Sequence, residues 1–440
     1  MCNGTIMDKL ISFSIPLMLS GILQLMFNAV DIIVVGRFSG SVALAAVGST
    51  TALINVFTNL FIGISLGANV LAARFFAAGK DKEMSETVHT AITLALVSGV
   101  IMAFVGLLFS RGALELMDTP EDVIGQSALY MKIYFLGMPF FMLYNYGAAI
   151  LRAVGDTKRP LIFLIVSGVV NAGLNMILVI IFHLDVAGVA IATVISQMIS
   201  CVLVLRCLYM SQTSYQLRFS KLKINTTYLK QIFQVGIPAG IQSTVINFSN
   251  ALLQSSVNSF GSIAMAGYTA ANNIFGFLYI SVNSVTQACM SFTSQNYGVR
   301  KYKRMDKVLI DCIIVSMVTA LTLGCSAYFF GPEILKIYTK DSEVIQCGME
   351  IMAYTTVPYF LCGIMDLFPG ALRGMGHSAV PMILSVIGTV GTRIVWIFGI
   401  FPNHRSLSVL FISYPASWIL TIVMQVICFY FVRKKVHKSA

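Results

Sequence analysis

One acidic residue interrupts the first long apolar stretch of the chain. Asp31 lies about two turns from the end of the stretch 10–36, which is long enough to cross a bilayer as a helix. An ionisable side chain at that depth costs roughly 2.5 to 3.5 kcal/mol even on the mildest insertion scale. A carboxylate there can bind a hard cation, or it can exchange a proton near neutral pH. The alternative is a structural role as a polar anchor between helices.

Three further polar residues are expected at a depth similar to that of Asp31. Asn171 and Asn175 are four residues apart in the fifth apolar stretch, so they share one helix face. Thr193 lies about two turns into the sixth stretch. One carboxylate, two amides and one hydroxyl form an oxygen-rich set, which suits a hard cation as well as a proton. The sequence therefore predicts a coupling site for Na⁺ or H⁺, with Asp31 as the metal ligand if the ion is sodium.

The composition places these side chains in a membrane protein with many spans. Charged residues make up 11% of the 440 residues, against about 25% in soluble proteins, and the mean hydropathy is +0.83. Apolar runs of roughly 20 residues predict spanning helices, whereas a β-barrel would show alternating segments of about ten. We expect an all-α polytopic membrane protein with twelve transmembrane helices, near residues 10–36, 44–71, 88–110, 128–150, 160–182, 187–209, 229–258, 264–292, 308–331, 346–371, 380–402 and 407–432.

The basic residues predict the orientation of the chain. The formal charge is +11, and most Lys and Arg residues fall in every second connection, which the positive-inside rule assigns to the cytoplasm. Both termini are thus expected in the cytoplasm, with the protein in a plasma or inner membrane. The basic residues in these connections need no nucleic-acid partner. The nine cysteines include no C-x-x-C pair, and they predict neither disulfides nor zinc.

The chain contains an internal repeat. The motif Leu-Arg-x2-Gly-x4-Pro occurs at 151–160 and again, 221 positions later, at 372–381, while Asn28 matches Asn250 at an offset one residue larger. Six spans per repeat predict two pseudo-symmetric six-helix lobes, a parallel repeat related by an axis along the membrane normal, around a central cavity. The predicted organisation is an N-lobe over 1–210, a cytoplasmic linker over 211–228 and a C-lobe over 229–440.

Other polar residues also interrupt the apolar stretches. Asp366 is either a second titrating site or a carboxylate near the cytoplasmic interface, and Arg393 near mid-membrane should face a cavity or pair with a carboxylate such as Asp366. Amides recur at spacings of three and four residues, in stripes that either line a cavity or bond helix to helix. The candidate cavity residues are Asn250, Gln254, Asn283 and Gln287, with Gln24 and Asn28 on the Asp31 face of the first helix.

Motifs in both halves resemble those of the multidrug and toxic compound extrusion (MATE) family, over nearly the whole chain. They are Ile-Pro at 15–16, Asn-Ala-Val-Asp-x4-Gly at 28–36, Leu-Arg-Ala-x-Gly-Asp-x3-Pro at 151–160 and its repeat at 372–381. The resemblance implies an antiporter that exports amphipathic, often cationic compounds by alternating access, in exchange for Na⁺ or H⁺. It also implies an N-lobe ion site at Asp31, Asn171, Asn175 and Thr193, Gln24 and Asn145 near the bound substrate, and a helix-1 bend at Pro16.

The chain departs from the family pattern at two places. Where many archaeal members carry a second Asp in helix 5, this chain has Asn175, which leaves one formal charge at the site. Another branch carries a Glu in helix 7 and an Asp in helix 10, but helix 7 of this chain has no acid over residues 242–258. Ion coupling of that second kind, in the C-lobe, is therefore not expected.

The sequence offers little for an enzyme. It contains no G-x4-G-K-[ST] to hold ATP phosphates and no H-E-x-x-H, and its five histidines lack metal-ligand spacing. We expect no enzymatic activity and no cofactor beyond the coupling Na⁺ or H⁺. The expected partners are small amphipathic substrates and the lipid bilayer, with the protein acting as a monomer.

Two other functions stay open at this point. A lipid-linked saccharide flippase of the wider superfamily would share the two-lobe plan, but it usually carries basic residues in its cavity, and only Arg393 fits that pattern. A non-transporting membrane scaffold or receptor is the second alternative, but it would not need Asp31 and the polar residues around it inside the spans.

Overall fold

The computed structural model describes residues 1–117 and 119–438, in which helices are joined by short connections and no β-strand occurs. The helices of the first half are α1 (Ile6–Phe38), α2 (Gly40–Ala77), α3 (Asp81–Glu115), α4 (Glu121–Leu136), α5 (Met138–Ala153), α6 (Lys158–Asn175) and α7 (Asp185–Met210). Those of the second half are α8 (Thr226–Asn258), α9 (Ser262–Gly298), α10 (Tyr302–Phe329), α11 (Gly331–Leu335), α12 (Ser342–Thr355), α13 (Tyr359–Gly374), α14 (Ala379–Ser385), α15 (Thr392–Val395) and α16 (Leu407–Lys438).

These helices match the twelve spans predicted from hydropathy. Eight helical segments in the described residues are long and apolar enough to cross a membrane, and the pairs α4–α5 and α12–α13 form two further spans, bent by 47° and 45°. Helices α8 and α9 complete the set at 33 and 37 residues, and they are less apolar because they carry the amide stripes. The chain is therefore an all-α, multi-pass membrane protein, as the sequence predicts.

Both halves interrupt the fifth span of their repeat with π-helix. In the first half a π-helical segment, Met176–Ile181, directly follows α6. In the second half Val386–Gly391 separates α14 from α15, and Trp396–Ile400 follows α15. A π-turn accommodates one extra residue, so it rotates the side chains that follow it, and such turns are frequent at functional sites. Asn175 is the last α-helical residue before the first of these segments.

Contacts between helices divide the chain into two compact units. The first unit is Leu19–Gly240, and the second combines Met1–Met18 with the described residues from Ile241 onward. The division falls inside α1 and α8, two residues after Pro16 and Pro238 respectively. The predicted lobes, which change over in the 211–228 connection, differ from this division because hydropathy locates connections and carries no information on where each part of a helix packs.

Glycines allow helices of the first unit to approach closely. A Cβ added to Gly63 of α2 would lie 2.4 Å from the Cα of Gly240 in α8, so neither position has room for a side chain. Between helices in lipid there is no hydrophobic driving force for association. Small residues instead let the backbones pack closely, and this packing holds the helices together. The beginning of α8 is thereby fixed in the first unit.

A second close contact fixes α1 against α6 near the candidate ion site. The ring of Phe27 in α1 lies over Gly168 of α6, and a Cβ at Gly168 would come 1.6 Å from the Cζ of Phe27. Glycine is therefore required for this approach. Asp31 lies one turn beyond Phe27 on α1, and Asn171 lies just under one turn beyond Gly168 on α6. The contact thus sets the distance between the carboxylate and the amides.

Candidate functional site

The first unit brings together the four residues predicted to form an ion site. Asp31 is 7% exposed, and Asn175, which is fully buried, donates a 2.5 Å hydrogen bond from Nδ2 to Oδ1 of Asp31. The same Nδ2 donates to Oδ1 of Asn171 at 3.2 Å, and Thr193 Oγ1 lies 3.3 Å from Oδ2 of Asp31. Helices α1, α6 and α7 therefore converge on one carboxylate. Their polar side chains form a single connected network.

The hydroxyl of Thr193 has two possible acceptors but one proton. Oγ1 lies 2.9 Å from the carbonyl oxygen of Val189, one turn earlier on α7, and 3.3 Å from Asp31 Oδ2. A hydroxyl can donate once and accept twice, and the shorter distance favours donation to Val189. In that arrangement the lone pairs of Oγ1 point toward the carboxylate. Thr193 can then accept a hydrogen bond from a protonated Asp31, or its oxygen can coordinate a cation.

An unsatisfied oxygen completes the donor set. Both N–H groups of Asn175 are used, but its Oδ1 is buried and has no hydrogen-bond partner among the described residues. A buried acceptor without a partner costs roughly 1 to 3 kcal/mol, so a cation or a donor that reaches this oxygen would be stabilised. Carboxylate, amide and hydroxyl oxygens are the ligands that hard cations prefer. The residues present therefore fit a small cation carrying one charge.

The described residues contain no cluster of three or more His, Cys, Asp or Glu side chains that could hold a metal ion. Asp31 is the one formal charge in its network, as the presence of Asn175 in place of an acid predicts. A site with one carboxylate balances one positive charge. The arrangement is thus better suited to Na⁺ or H⁺ than to a divalent metal.

Two tyrosines that the sequence did not predict at this site lie near Asp31. Tyr130 and Tyr134 of α4 both lie within electrostatic range of the Asp31 carboxylate, and their rings stack with centroids 6.1 Å apart. Tyr134 also lies against Gln197, one turn after Thr193 on α7. Two tyrosines four residues apart in a predicted span were the only available signal. That signal is weak, because aromatic residues are common in membrane helices.

The residues predicted to line a substrate cavity in the first half take different positions. Gln24 and Asn28 are exposed, unlike Asp31, because α6 and α7 contact α1 at the turn that carries Asp31. Asn145 of α5 is half-buried, and its Nδ2 donates to the carbonyl oxygen of Phe141 at 2.8 Å. Pro16 lies within α1, which remains a continuous helix there. Their roles in substrate binding and helix bending stay predictions.

The second unit holds a buried guanidinium. Arg393 is 3% exposed, and its NH1 donates a 2.7 Å hydrogen bond to Oδ1 of Asn250. The ring of Tyr414 covers the guanidinium, with 4.3 Å between Cζ and the ring centroid. Such a cation–π contact stabilises a desolvated guanidinium. Arg393 is therefore stabilised by an amide and an aromatic ring.

The suggested pairing of Arg393 with Asp366 is corrected by this geometry. Among the described side chains, no ion pair within 4 Å joins Asp366 to an arginine. The cation in electrostatic range of Asp366 is Arg373, near the end of α13, whose NH2 donates to Oε1 of Gln242 at 2.6 Å. Asp366 is therefore nearer in its electrostatic surroundings to Arg373 than to Arg393.

The amide stripes of α8 and α9 bond along their own helices. Gln254 donates to Asn258 at 3.1 Å, and Gln287 donates to Asn283 at 2.9 Å, each across one helical turn. Asn283 also donates to the hydroxyl of Tyr279 at 3.4 Å. These bonds satisfy part of the polar surface without joining one helix to another. The role of the stripes in a substrate cavity stays a prediction.

Comparison with known proteins supports the repeat and identifies the family. A family model described as MatE matches the chain twice, over residues 16–177 and 238–398. The two matches begin at Pro16 and Pro238, at the same offset that relates Asn28 to Asn250. The repeat recognised from scattered residues thus corresponds to two copies of one family unit.

Relatives and solved structures extend this likeness over the whole chain. The probable multidrug resistance protein YoeA of Bacillus subtilis (strain 168) is 30% identical over 434 residues, which cover 96% of this chain and 93% of the relative. The multidrug export protein MepA of Staphylococcus aureus (strain NCTC 8325 / PS 47) is 23% identical over 387 residues, covering 88% and 85%.

Among solved structures, a multidrug resistance MATE family transporter in an outward-facing conformation superposes with a TM-score of 0.90 at 20% identity, covering 99% of this chain and 97% of that one. A MATE structure in a bent conformation gives 0.89 at 20% identity, with 99% and 96% covered. Both share the fold. Since the family model matches most of the sequence and a relative is 30% identical along nearly its full length, this chain belongs to the MatE family of multidrug and toxic compound extrusion proteins.

Proposed function

We propose that the protein exports amphipathic, often cationic compounds in exchange for inward movement of Na⁺ or H⁺. The observation that carries the proposal is the Asp31 carboxylate, which is buried in the first unit and contacts Asn175 and Thr193. A buried carboxylate without a cationic partner is costly, so it must gain a cation or a proton for part of the cycle. The family relatives named as multidrug export and resistance proteins support the export of drugs.

The residues around Asp31 can accept either ion. When the carboxyl is protonated, its O–H can donate to Thr193 Oγ1, whose own proton goes to the carbonyl of Val189. When the carboxylate is ionised, its oxygens, Thr193 Oγ1 and the unsatisfied Oδ1 of Asn175 can surround a sodium ion. In both cases a positive charge enters the network from outside. Binding of the ion and binding of a cationic substrate should therefore oppose each other.

The energy for export then comes from an ion gradient. Each positive charge that moves inward gains about 2.3 kcal/mol per 100 mV of membrane potential, enough to concentrate a neutral substrate tens-fold. We assign the protein to a plasma or inner membrane with both termini in the cytoplasm, because the basic residues cluster in every second connection. It is proposed to work by alternating access and as a monomer.

The flippase alternative has less support. A lipid-linked saccharide carries a pyrophosphate, which would need cationic side chains that can reach it. The guanidinium of Arg393, the candidate for that role, is 3% exposed and already contacts Asn250 and Tyr414. One buried arginine with two protein partners is a poor receptor for a doubly charged headgroup.

The proposal is tested by transport of a fluorescent lipophilic cation into liposomes that contain the purified protein. A sodium gradient and a proton gradient are imposed separately, and wild type is compared with Asp31→Asn. One gradient should drive transport in wild type, and the variant should lose that response while reconstituting normally.

The matched control is Asp366→Asn, which removes an acid from a span of the second half, within electrostatic range of Arg373. We expect this variant to keep its gradient dependence. Gradient-driven transport by Asp31→Asn at the wild-type rate would overturn the assignment of Asp31. Failure of both gradients in wild type, with uptake of a lipid-linked saccharide instead, would favour the flippase.

A further inference from the structure

A groove opens where α6 begins and α7 ends. Its volume is about 640 Å³, and its lining includes Arg159 and Phe163 of α6, Leu203, Arg206 and Met210 of α7, and Thr213 of the following connection. The groove belongs to the first unit and lies at the end of the helices that carries the basic connection 211–225. By sequence this end faces the cytoplasm.

Two exposed arginines line the groove, and neither is fully paired. Arg159 Nε lies 3.2 Å from Oδ2 of Asp156, and its NH1 lies 3.4 Å from Sγ of Cys207. Among the described residues, Arg206 donates from Nε to Sδ of Met210 at 3.4 Å. Sulfur is a weak acceptor, so most of the donor capacity of these guanidinium groups remains unused. The groove therefore carries a positive charge that one nearby carboxylate only partly balances.

Hydroxyl groups and an apolar wall complete the lining. Ser211 Oγ and Thr213 Oγ1 share a 2.6 Å hydrogen bond at the polar side of the groove. Phe163 and Leu203 add apolar side chains to the lining, and their chain neighbours Ile162 and Val202 are 54% and 56% exposed on the same helices. In a spanning helix such exposed apolar side chains contact lipid chains. The two helices that line the groove thus also present apolar side chains to lipid.

We propose that this groove binds an anionic phospholipid, with its phosphate between Arg159 and Arg206 and an acyl chain along Phe163 and Leu203. Arginine recognises phosphate oxygens through paired N–H donors, and basic pockets between spanning helices on the cytoplasmic side suit anionic headgroups. The hydroxyls of Ser211 and Thr213 can donate to the headgroup. The ligand is a lipid rather than a free phosphate because Phe163 and Leu203 line the same groove as the two arginines and suit an acyl chain. The site does not depend on the transport function proposed above.

Native mass spectrometry of the purified protein in detergent tests this site. The protein is titrated with phosphatidylglycerol and, separately, with phosphatidylcholine of the same acyl chains. Wild type should retain one phosphatidylglycerol in preference to phosphatidylcholine. The double variant Arg159→Gln with Arg206→Gln should lose about thirtyfold in affinity, and each single variant about fivefold, at roughly 1 kcal/mol for each arginine.

The control is the double variant Lys221→Gln with Lys223→Gln, which removes the same charge from exposed positions on the same connection. It should bind phosphatidylglycerol like wild type. Equal losses in both double variants, or no preference for phosphatidylglycerol, would overturn the proposal. Displacement of the lipid by soluble glycerol 3-phosphate at equal concentration would also overturn it, since a free phosphate would then suffice. Arg159→Lys with Arg206→Lys keeps the charge, and its binding should exceed that of the Gln pair if the fold is intact.

Discussion

Thr193 and Tyr414 occupy matching positions of the two repeats, 221 residues apart, and each contacts the charged centre of its own unit. The hydroxyl of Thr193 lies against the carboxylate of Asp31, whereas the ring of Tyr414 covers the guanidinium of Arg393. One structural position thus serves an anion in the first unit and a cation in the second. A mobile cation would meet repulsion at Arg393, so we expect ion coupling to depend on the first unit.

Replacing Asn175 with Leu should weaken Na⁺ binding without preventing folding. The change removes the N–H bond to Asp31 and the unsatisfied Oδ1 while roughly preserving the volume of the side chain. Loss of the buried Oδ1 as a ligand, at about 1 to 3 kcal/mol, corresponds to a loss of roughly 5- to 100-fold in Na⁺ affinity. Proton affinity should instead rise, because the ionised Asp31 loses the N–H donor that stabilises it. The ion concentration for half-maximal transport measures the change in either direction. Asn283→Leu, an amide change in the second unit, should leave that concentration unaltered.

The hydroxyl of Thr193 should matter more than its methyl group. Thr193→Val keeps the shape but removes the oxygen, so we expect ion affinity to fall by about fivefold to tenfold, in line with a hydrogen bond of about 1 kcal/mol. Thr193→Ser keeps the oxygen and should restore most of the affinity. The same transport titration distinguishes the two variants. Equal behaviour of Val and Ser would exclude a role for the hydroxyl.

Gly168 should be intolerant of even one added methyl group. Gly168→Ala places a Cβ 1.6 Å from Cζ of Phe27, and overpacking of this kind typically costs about 1 to 3 kcal/mol. Thermal unfolding of the purified protein should show a lower midpoint, and ion affinity should fall because Asp31 moves with Phe27. Gly173→Ala is the control on the same helix, since nothing lies within 4 Å of its added Cβ.

A compensating change tests the steric explanation. In the double variant Gly168→Ala with Phe27→Ala, the removed ring makes room for the methyl group, so the cost should be less than the sum of the two single changes. Additive losses would show that Gly168 acts through something other than contact with Phe27.

Asn250 should stabilise the second unit through Arg393. Asn250→Leu removes the oxygen that accepts the hydrogen bond from NH1 of Arg393, so the buried guanidinium loses a polar partner. We expect the free energy of unfolding to fall by about 1.5 to 3 kcal/mol. Adding Arg393→Met to that variant removes the charge and should recover much of the loss. Thermal unfolding measures both effects. The gradient dependence of transport should persist in each variant, and its loss would place the coupling ion in the second unit.

The sequence predicted the polar centre of the first unit well because two constraints fix it. Helical rise sets the depth of Asp31, Asn175 and Thr193 along their helices, and the high cost of burying polar groups in lipid makes them meet. Hydropathy alone also predicted every span, since each must cover the same hydrocarbon thickness.

The lateral neighbours of these residues could not be predicted in the same way. Tyr130 and Tyr134 of α4 lie within electrostatic range of Asp31, and no periodic pattern distinguishes a tyrosine near an ion site from one that faces lipid. The partners of Arg393 were likewise missed, because an aromatic ring and an amide can replace the carboxylate that charge balance suggests.

The exchange of helix ends between the two units limits how such a protein could have arisen. Phe13, from the first half of the gene, packs edge to face on Phe292 in the second unit, with ring centroids 5.6 Å apart. The start of α8, from the second half, belongs in turn to the first unit. A half-length ancestor with one repeat would have lacked part of its own core. Such a half-length chain would complete the same core only by exchanging these segments with a second copy.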